Sequence, residues 1–517
     1  MIATPKRAPM TRITRTLTCA IALTFASQSG CKPKQEETVV PEPEPAPAPA
    51  PVAVAEPPQR EYMDPPPPSE PRPVQFPEIQ SFTTSNGLQV YIVENHEVPL
   101  VTAHLVIRAG SMDDEFLADM TASMLAEGTK KRKKAKIDAA IEQVGSSLSA
   151  GAGIHDTSVY SRVLKRDLAL ALDLMADEVQ NAAFPADALK KLKEQQKTGL
   201  KAAKSDPGTL ADTLFNMVAY PEGHPYGRPL PTDAQIDAIT VETIKGFYNT
   251  FYRSNNAYLI LSGDINQAEA EPLVKKYLGK WKHLEGTAPQ NPLNAFRAEQ
   301  YRHPSKLVVH LVDRPGSAQA EIRIGNLALA RKHPDWEKFE IASAILGGGS
   351  NGRLFRDVRE DKGLAYGVYS KIQPGQAPGT WQIWTKTKSK KTDKMLTALF
   401  GHISKMRDEA VTDEELSDAI NQEVGSFPLG IETPNQIAGK VRNILTYGLA
   451  NDYYRVYRDE VLRVTKDDVR TMAIKYMLTV PHIVIVGTAK KIEPLIQEAL
   501  PSAEIIHYDT DLNRVGN

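Results

Sequence analysis

Two stretches of this chain are matched by two later ones at a single separation, and that repeat restricts the fold more than any other feature. Residues 168–180, apolar at helical spacing, are followed by Phe184-Pro185-Ala186-Asp187-Ala188-Leu189; residues 394–407 are followed by Val411-Thr412-Asp413-Glu414-Glu415-Leu416. The strand-like run 258–264, with a helical pattern after it, is matched by 482–487 and its own helix. Both pairs lie about 225 residues apart, so one offset explains two independent matches. Self-similarity at one period marks a duplicated unit, here a large one rather than a short solenoid repeat. The halves span 78–284 and 303–510, joined by a linker at 285–302.

Within the first half, residues 88–94, 100–107 and 158–163 alternate as strands do, with Ser85-Asn86-Gly87 as a turn. Residues 117–126, 137–144 and 168–180 carry apolar side chains at helical spacing. Strands mixed with amphipathic helices in this order imply an α+β fold with two similar, duplicated α/β-layer domains. The length of 517 residues is enough for several domains. A formal net charge of −1 gives no electrostatic footing for nucleic acid. The basic run from Lys130 to Lys136 reads as a solvated helix start.

Before residue 78 the composition changes. Lys6, Arg7, Arg12 and Arg15 precede an apolar stretch at 17–26, short for a membrane span and right for a signal-peptide core, so 1–30 reads as a signal segment. Gln28-Ser29-Gly30-Cys31 resembles a bacterial lipoprotein box, which implies a lipid on Cys31; Gln28 departs from that pattern, and simple secretion is the alternative. Lys32 rather than Asp after the cysteine favours the outer membrane of a Gram-negative envelope, facing the periplasm. Residues 31–77 are rich in Pro, Glu and Ala and read as a polyproline-II tether of ~3 Å per residue, on the order of 100 Å in reach. The two cysteines, Cys19 and Cys31, both lie in this N-terminal region, so the folded halves have no disulfide framework.

Several short motifs carry a family resemblance. They are Ala109-Gly110-Ser111-Met112-Asp113-Asp114, Met124-Leu125-Ala126-Glu127-Gly128-Thr129-Lys130, His224-Pro225-Tyr226-Gly227-Arg228-Pro229, the 247–257 segment with Asn255-Asn256-Ala257, Gly263-Asp264, and the run from Gly347 through Arg359 to Tyr366. In this order and spacing the chain resembles the insulinase/pitrilysin family of zinc peptidases, over nearly all of 82–499. That resemblance implies two α+β domains per chain, as in processing peptidases.

The family's HxxEH places two histidines on one helical face, where both reach a zinc, and a glutamate that activates the metal-bound water. The corresponding residues here are Asp119, Ala122 and Ser123. The family's third ligand, a glutamate about 75 residues on, falls at Thr198 or Gly199. The chain therefore resembles a non-catalytic subunit that binds no cofactor itself, with zinc expected in a partner. Isolated histidines such as His155 and His224 read as packing or turn residues.

The second half keeps what the first lost. Arg359 and Tyr366 match the family's Arg–Tyr pair, which the resemblance places against the substrate backbone near the scissile carbonyl, in trans to a partner's zinc. A helix ending at Gly363, with Tyr366 merely opening a strand, is the bland alternative. Gly347, Gly348 and Gly349 lack the Lys-Ser/Thr of a phosphate loop; a glycine-rich loop there touches substrate in the non-catalytic mitochondrial subunit. Leu148, Ser149, Ala150 and Gly151 correspond to the edge strand on which the family lays an extended peptide. The expected partner is a second insulinase-family chain with intact HxxEH. The alternatives are a structural or binding subunit with no role in proteolysis, and a metalloendopeptidase with an atypical metal site around Asp119.

Overall fold

The computed structural model describes residues 74–286 and 289–516. The signal segment, Cys31 and all but the end of the tether lie outside them. In the first half, strands β1 (Gln80–Thr83), β2 (Gln89–Glu94), β3 (Leu100–Ile107), β4 (Leu148–Ala152), β5 (Thr157–Leu164) and β6 (Ala257–Gly263) form one sheet in the order β1-β2-β6-β3-β5-β4. Its helices are α1 (Glu115–Leu125), α2 (Lys134–Glu142), α3 (Leu168–Asn181), α4 (Ala186–Ser205), α5 (Pro207–Ala219), α6 (Asp233–Ala238), α7 (Val241–Phe251) and α8 (Gln267–Leu278).

In the second half, β7 (Val308–Asp313), β8 (Gln319–Leu327), β9 (Ala365–Ile372), β10 (Thr380–Lys388), β11 (His482–Gly487), β12 (Glu504–Tyr508) and β13 (Arg514–Val515) run in the order β13-β12-β7-β11-β8-β10-β9. Its helices are α9 (Trp336–Gly347), α10 (Thr392–Asp408), α11 (Asp413–Ser426), α12 (Pro434–Tyr447), α13 (Tyr453–Leu462), α14 (Lys466–Tyr476) and α15 (Ala489–Ala499). Between α9 and β9 lies a π-helical turn, Phe355–Asp361.

The run β2-β6-β3-β5-β4 repeats as β7-β11-β8-β10-β9. In each, the first pair is parallel and the rest antiparallel. The repetition reaches single residues. Helices α8 and α15 both carry a proline at their sixth position, Pro272 and Pro494, a residue that removes one helical hydrogen bond in each. The Arg132–Asp177 bridge recurs 225 positions later as a hydrogen bond between His402 and Asp357, with the acidic partner exchanged between its two ends. Lys130, Lys131, Lys133, Lys134 and Lys136 of the basic run are exposed as expected, whereas Arg132 is tied to both Asp173 and Asp177. The halves differ at one sheet border: β1, from the beginning of the first half, lies antiparallel to β2, but β12, from the end of the second, lies parallel to β7.

Each sheet packs most of its own helices on one face and would leave the other face apolar. The halves solve this by exchanging a helix. Leu210, Ala211, Leu214 and Phe215 of α5 pack on Val312, Leu327, Val484 and Val486 of the second sheet. Ile437, Ala438, Val441 and Ile444 of α12 join a core that contains Val93, Val106, Tyr258 and Ile260 of the first sheet. Both helices start on a capping side chain followed by proline, Asp206-Pro207 and Thr433-Pro434. Each is also pinned by an arginine–aspartate pair: Asp212 of α5 with Arg323 of β8 at 2.6 Å, and Arg442 of α12 with the buried Asp156 ahead of β5. The described residues of both halves consequently belong to a single compact unit.

Candidate functional site

The approach to α1 is shaped by Gly110. A side chain there would put its Cβ 2.4 Å from the Ile154 carbonyl oxygen, so only glycine lets the loop pass the 153–156 turn. Arg228 clamps the same loop, donating to the carbonyls of Ser111 and Met112, and Asp114 caps the helix by accepting from the Phe116 and Leu117 amides. His224 stacks on Tyr220 and is hydrogen-bonded to the Tyr301 hydroxyl at 3.0 Å. Burial pushes both His224 and His155 down to about 4, so both are neutral near pH 7. They are packing residues, as the sequence implied.

On α1 itself, Met120 and Met124 point into the core, Asp119 is exposed, Ala122 is fully buried and Ser123 is half-buried. Asp119 accepts a 2.9 Å hydrogen bond from the side-chain amide of Gln196 on α4. Gln196 was not singled out from the sequence, although it sits three residues, about one helical turn, before Gly199. Thr198 is exposed and its hydroxyl donates back to the Glu194 carbonyl. At Gly199 an added Cβ would meet nothing within 4 Å, so nothing in the packing requires glycine there.

The donors at this corner are one carboxylate, two hydroxyls and one primary amide. A catalytic zinc takes three protein ligands drawn from histidine, cysteine and carboxylates, and among the described residues no cluster of three such side chains occurs. These residues do not fit a zinc ion.

In the second half the segment carrying Arg359 is wound more widely than an α-helix. The Lys362 amide bonds the Asp357 carbonyl five residues back at 2.9 Å, and a π-turn of this kind is frequent at functional sites. Gly363, with φ +54°, then reverses the chain into β9. The result brings together two residues seven apart. The Arg359 guanidinium lies 4.5 Å from the centre of the Phe355 ring and 5.0 Å from that of Tyr366, within cation–π range. Tyr366 is 83% exposed, and Arg359 is half-buried between it and Phe355.

The turn is held at its base by a two-pronged bond from Arg353 to Glu415, at 2.6 and 2.8 Å. The Arg353 bond pulls the Glu415 carboxyl down to about 2. Its far end is held by Lys362 and His402, which share the Asp357 carboxylate. Two arginines of one motif thus divide the work: Arg353 anchors, while Arg359 has no carboxylate partner among the described residues.

Gly347 is buried where α9 ends, and a Cβ there would lie 2.9 Å from the Ser370 amide of β9. Packing alone therefore accounts for glycine at 347. Gly348 is exposed and Gly349 half-buried at the surface beyond it. Leu148, Ser149, Ala150 and Gly151 do form an edge strand, β4, with Ser149 and Gly151 exposed.

Two descriptions of one peptidase family match the chain: "Insulinase (Peptidase family M16)" over residues 89–230, and "Peptidase M16 inactive domain" over 238–423. An uncharacterized zinc protease of Streptomyces coelicolor is 27% identical over 422 residues, covering 80% of this chain and 90% of that protein. The uncharacterized zinc protease YmxG of Bacillus subtilis is 24% identical, covering 69% of this chain and 85% of the relative. Among solved structures, a peptidase M16 inactive domain from Pseudomonas fluorescens superposes with a TM-score of 0.71 at 28% identity, covering 79% of this chain and 98% of the other. A protease from Helicobacter pylori shares the fold at a TM-score of 0.72 and 20% identity, over 79% of this chain and 99% of that one.

Proposed function

Because the chain belongs to the insulinase family of M16 peptidases, we propose that it is the non-catalytic, peptide-binding member of a two-chain zinc peptidase. A second chain of the family, with intact HxxEH, would supply the zinc and the water-activating glutamate. This chain would supply Arg359 and Tyr366. One observation carries the reading: Asp119, Ala122, Ser123 and Gly199 do not make a zinc site, while Arg359 is held against an exposed Tyr366 on a braced turn. A guanidinium with no carboxylate partner among the described residues, beside an exposed phenol, suits a carbonyl oxygen that gains negative charge during hydrolysis. A peptide laid along β4 by strand addition would be presented in extended form. We further place the complex at the periplasmic side of the envelope, tethered through a lipid on Cys31.

The test is reconstitution. A zinc-bearing partner should be nearly inactive alone and activated on mixing. Arg359→Ala removes a charged donor worth about 1.5–3 kcal/mol, hence roughly ten- to a hundred-fold in rate. Tyr366→Phe should cost less, and both variants should still assemble by gel filtration. Full activity in an assembled double variant would leave only a structural subunit.

A further inference from the structure

The Arg359–Tyr366 pair is one end of a continuous row of rings. Phe355, beneath Arg359, lies 6.0 Å from Tyr369, and Tyr369 lies against Trp384 with ring centres 4.6 Å apart. Tyr369 and Trp384 are directly opposite one another in the β9–β10 register. Gly367 makes this possible, since a Cβ there would lie 2.8 Å from the Tyr369 ring. Trp384 is 37% exposed and forms one wall of a cavity of about 530 Å³ between β10 and α5. Among the polar groups of that cavity, Arg323 is paired with Asp212 and Glu321, and Gln382 with the Thr380 hydroxyl, while Lys371, Gln373 and Asn216 also line it. Trp384 supplies an aromatic wall.

Strand β9 is the border of the second sheet, and among the described residues no strand pairs with its outer edge. A peptide added along that edge places every second side chain on the face that bears Tyr369 and Trp384. A residue directly opposite Tyr369 would stand about 4.5–5.5 Å away, Cβ to Cβ, and would extend the Trp384–Tyr369 row by one ring.

We propose that β9 is a peptide-binding edge and that the Tyr369–Trp384 pair is its side-chain subsite, selecting an aromatic residue at the peptide position opposite Tyr369. This rests on the peptide-binding reading above and names its substrate class: extended peptides with an aromatic side chain at that position.

The chain carries its own reporter. Of its four tryptophans, Trp281, Trp336 and Trp381 are 3%, 3% and 0% exposed, so acrylamide quenching reads Trp384. Two capped heptapeptides of alanine and serine, one with a central Phe and one with a central Gly, are titrated into the purified full chain without a partner. The Phe peptide should shield Trp384 and bind at least about ten-fold tighter by calorimetry, from stacking and ring burial together. Tyr369→Ala, which keeps the reporter, should abolish that preference; Trp384→Leu should do the same by calorimetry, and Trp384→Phe should retain most of it. Circular dichroism checks that each variant is folded.

Equal affinity for both peptides with Trp384 unshielded overturns the subsite. If Arg359→Ala then still weakens both peptides, the peptide-binding reading survives without it. If neither peptide binds at all, both fall.

Discussion

Exchange of α5 and α12 between the halves predicts that neither half can lose its fold alone. Leu214 of α5 is fully buried against the second sheet, although it belongs by sequence to the first half. Leu214→Ala removes three carbons from a cluster that α5 shares with β7, β8 and β11, where collapse is restricted. The cost should therefore fall in the upper part of the usual range, about 3–4 kcal/mol. Against a total stability of about 5–15 kcal/mol, that loss is large and easily measured.

The informative readout is where the loss appears. In native-state hydrogen exchange, the amides of β3 in the first sheet and of β8 in the second should lose protection together and by similar amounts. The reciprocal variant Val441→Ala on α12 should behave alike, at about 2–3 kcal/mol for two lost methyl groups with their cavity. Urea unfolding should stay a single transition by circular dichroism and by tryptophan emission. Protection lost only in β7, β8 and β11, with β3 unchanged, would refute the coupling, as would two separated transitions.

Other outcomes follow from particular residues. The purified chain should hold less than about one-tenth of an equivalent of zinc by elemental analysis, because one carboxylate, two hydroxyls and one amide are not a catalytic zinc set; near-stoichiometric zinc lost on Asp119→Ala would oppose this. Rebuilding the motif with Asp119→His, Ala122→Glu, Ser123→His and Gly199→Glu should lower the melting temperature. Position 199 is open, but Ala122 is fully buried, and a carboxylate there must be accommodated in the core. Glu415, drawn from the ordinary 4.5 to about 2 by Arg353, adds stability that is present above pH 4.5 and lost as pH falls through about 2. Acid titrations of wild type and Glu415→Gln should accordingly differ at pH 6 and converge near pH 2. Cys31→Ser should leave the membrane fraction or remain unprocessed, since a lipid anchor needs that thiol; an equally membrane-bound variant would refute the anchor.

Much of the architecture was legible in the sequence because the signals are local. Strand alternation and helical spacing depend on neighbours two to four residues away, so 100–107 and the start of the 168–180 helix were placed to the residue. Duplication was readable because each half conserves the same local patterns in the same order. So was the lack of imidazoles at positions 119 and 123: a missing side chain is a matter of identity, and no folding can restore one at Asp119 or Ser123. Other features depend on residues far apart in the chain, and those the tertiary structure alone decided. No pattern within α5 distinguishes the sheet of its own half from that of the other, since both offer an apolar face. The choice follows from which face is left uncovered once the other helices have packed. Gln196 meets Asp119 only because α4 crosses α1, and the spacing of Arg359 and Tyr366 becomes a contact only because the intervening turn is π-wound and Gly363 reverses it. The Tyr369–Trp384 row needs the β9–β10 register, which is set by hydrogen bonding across strands and not by either strand's own residues.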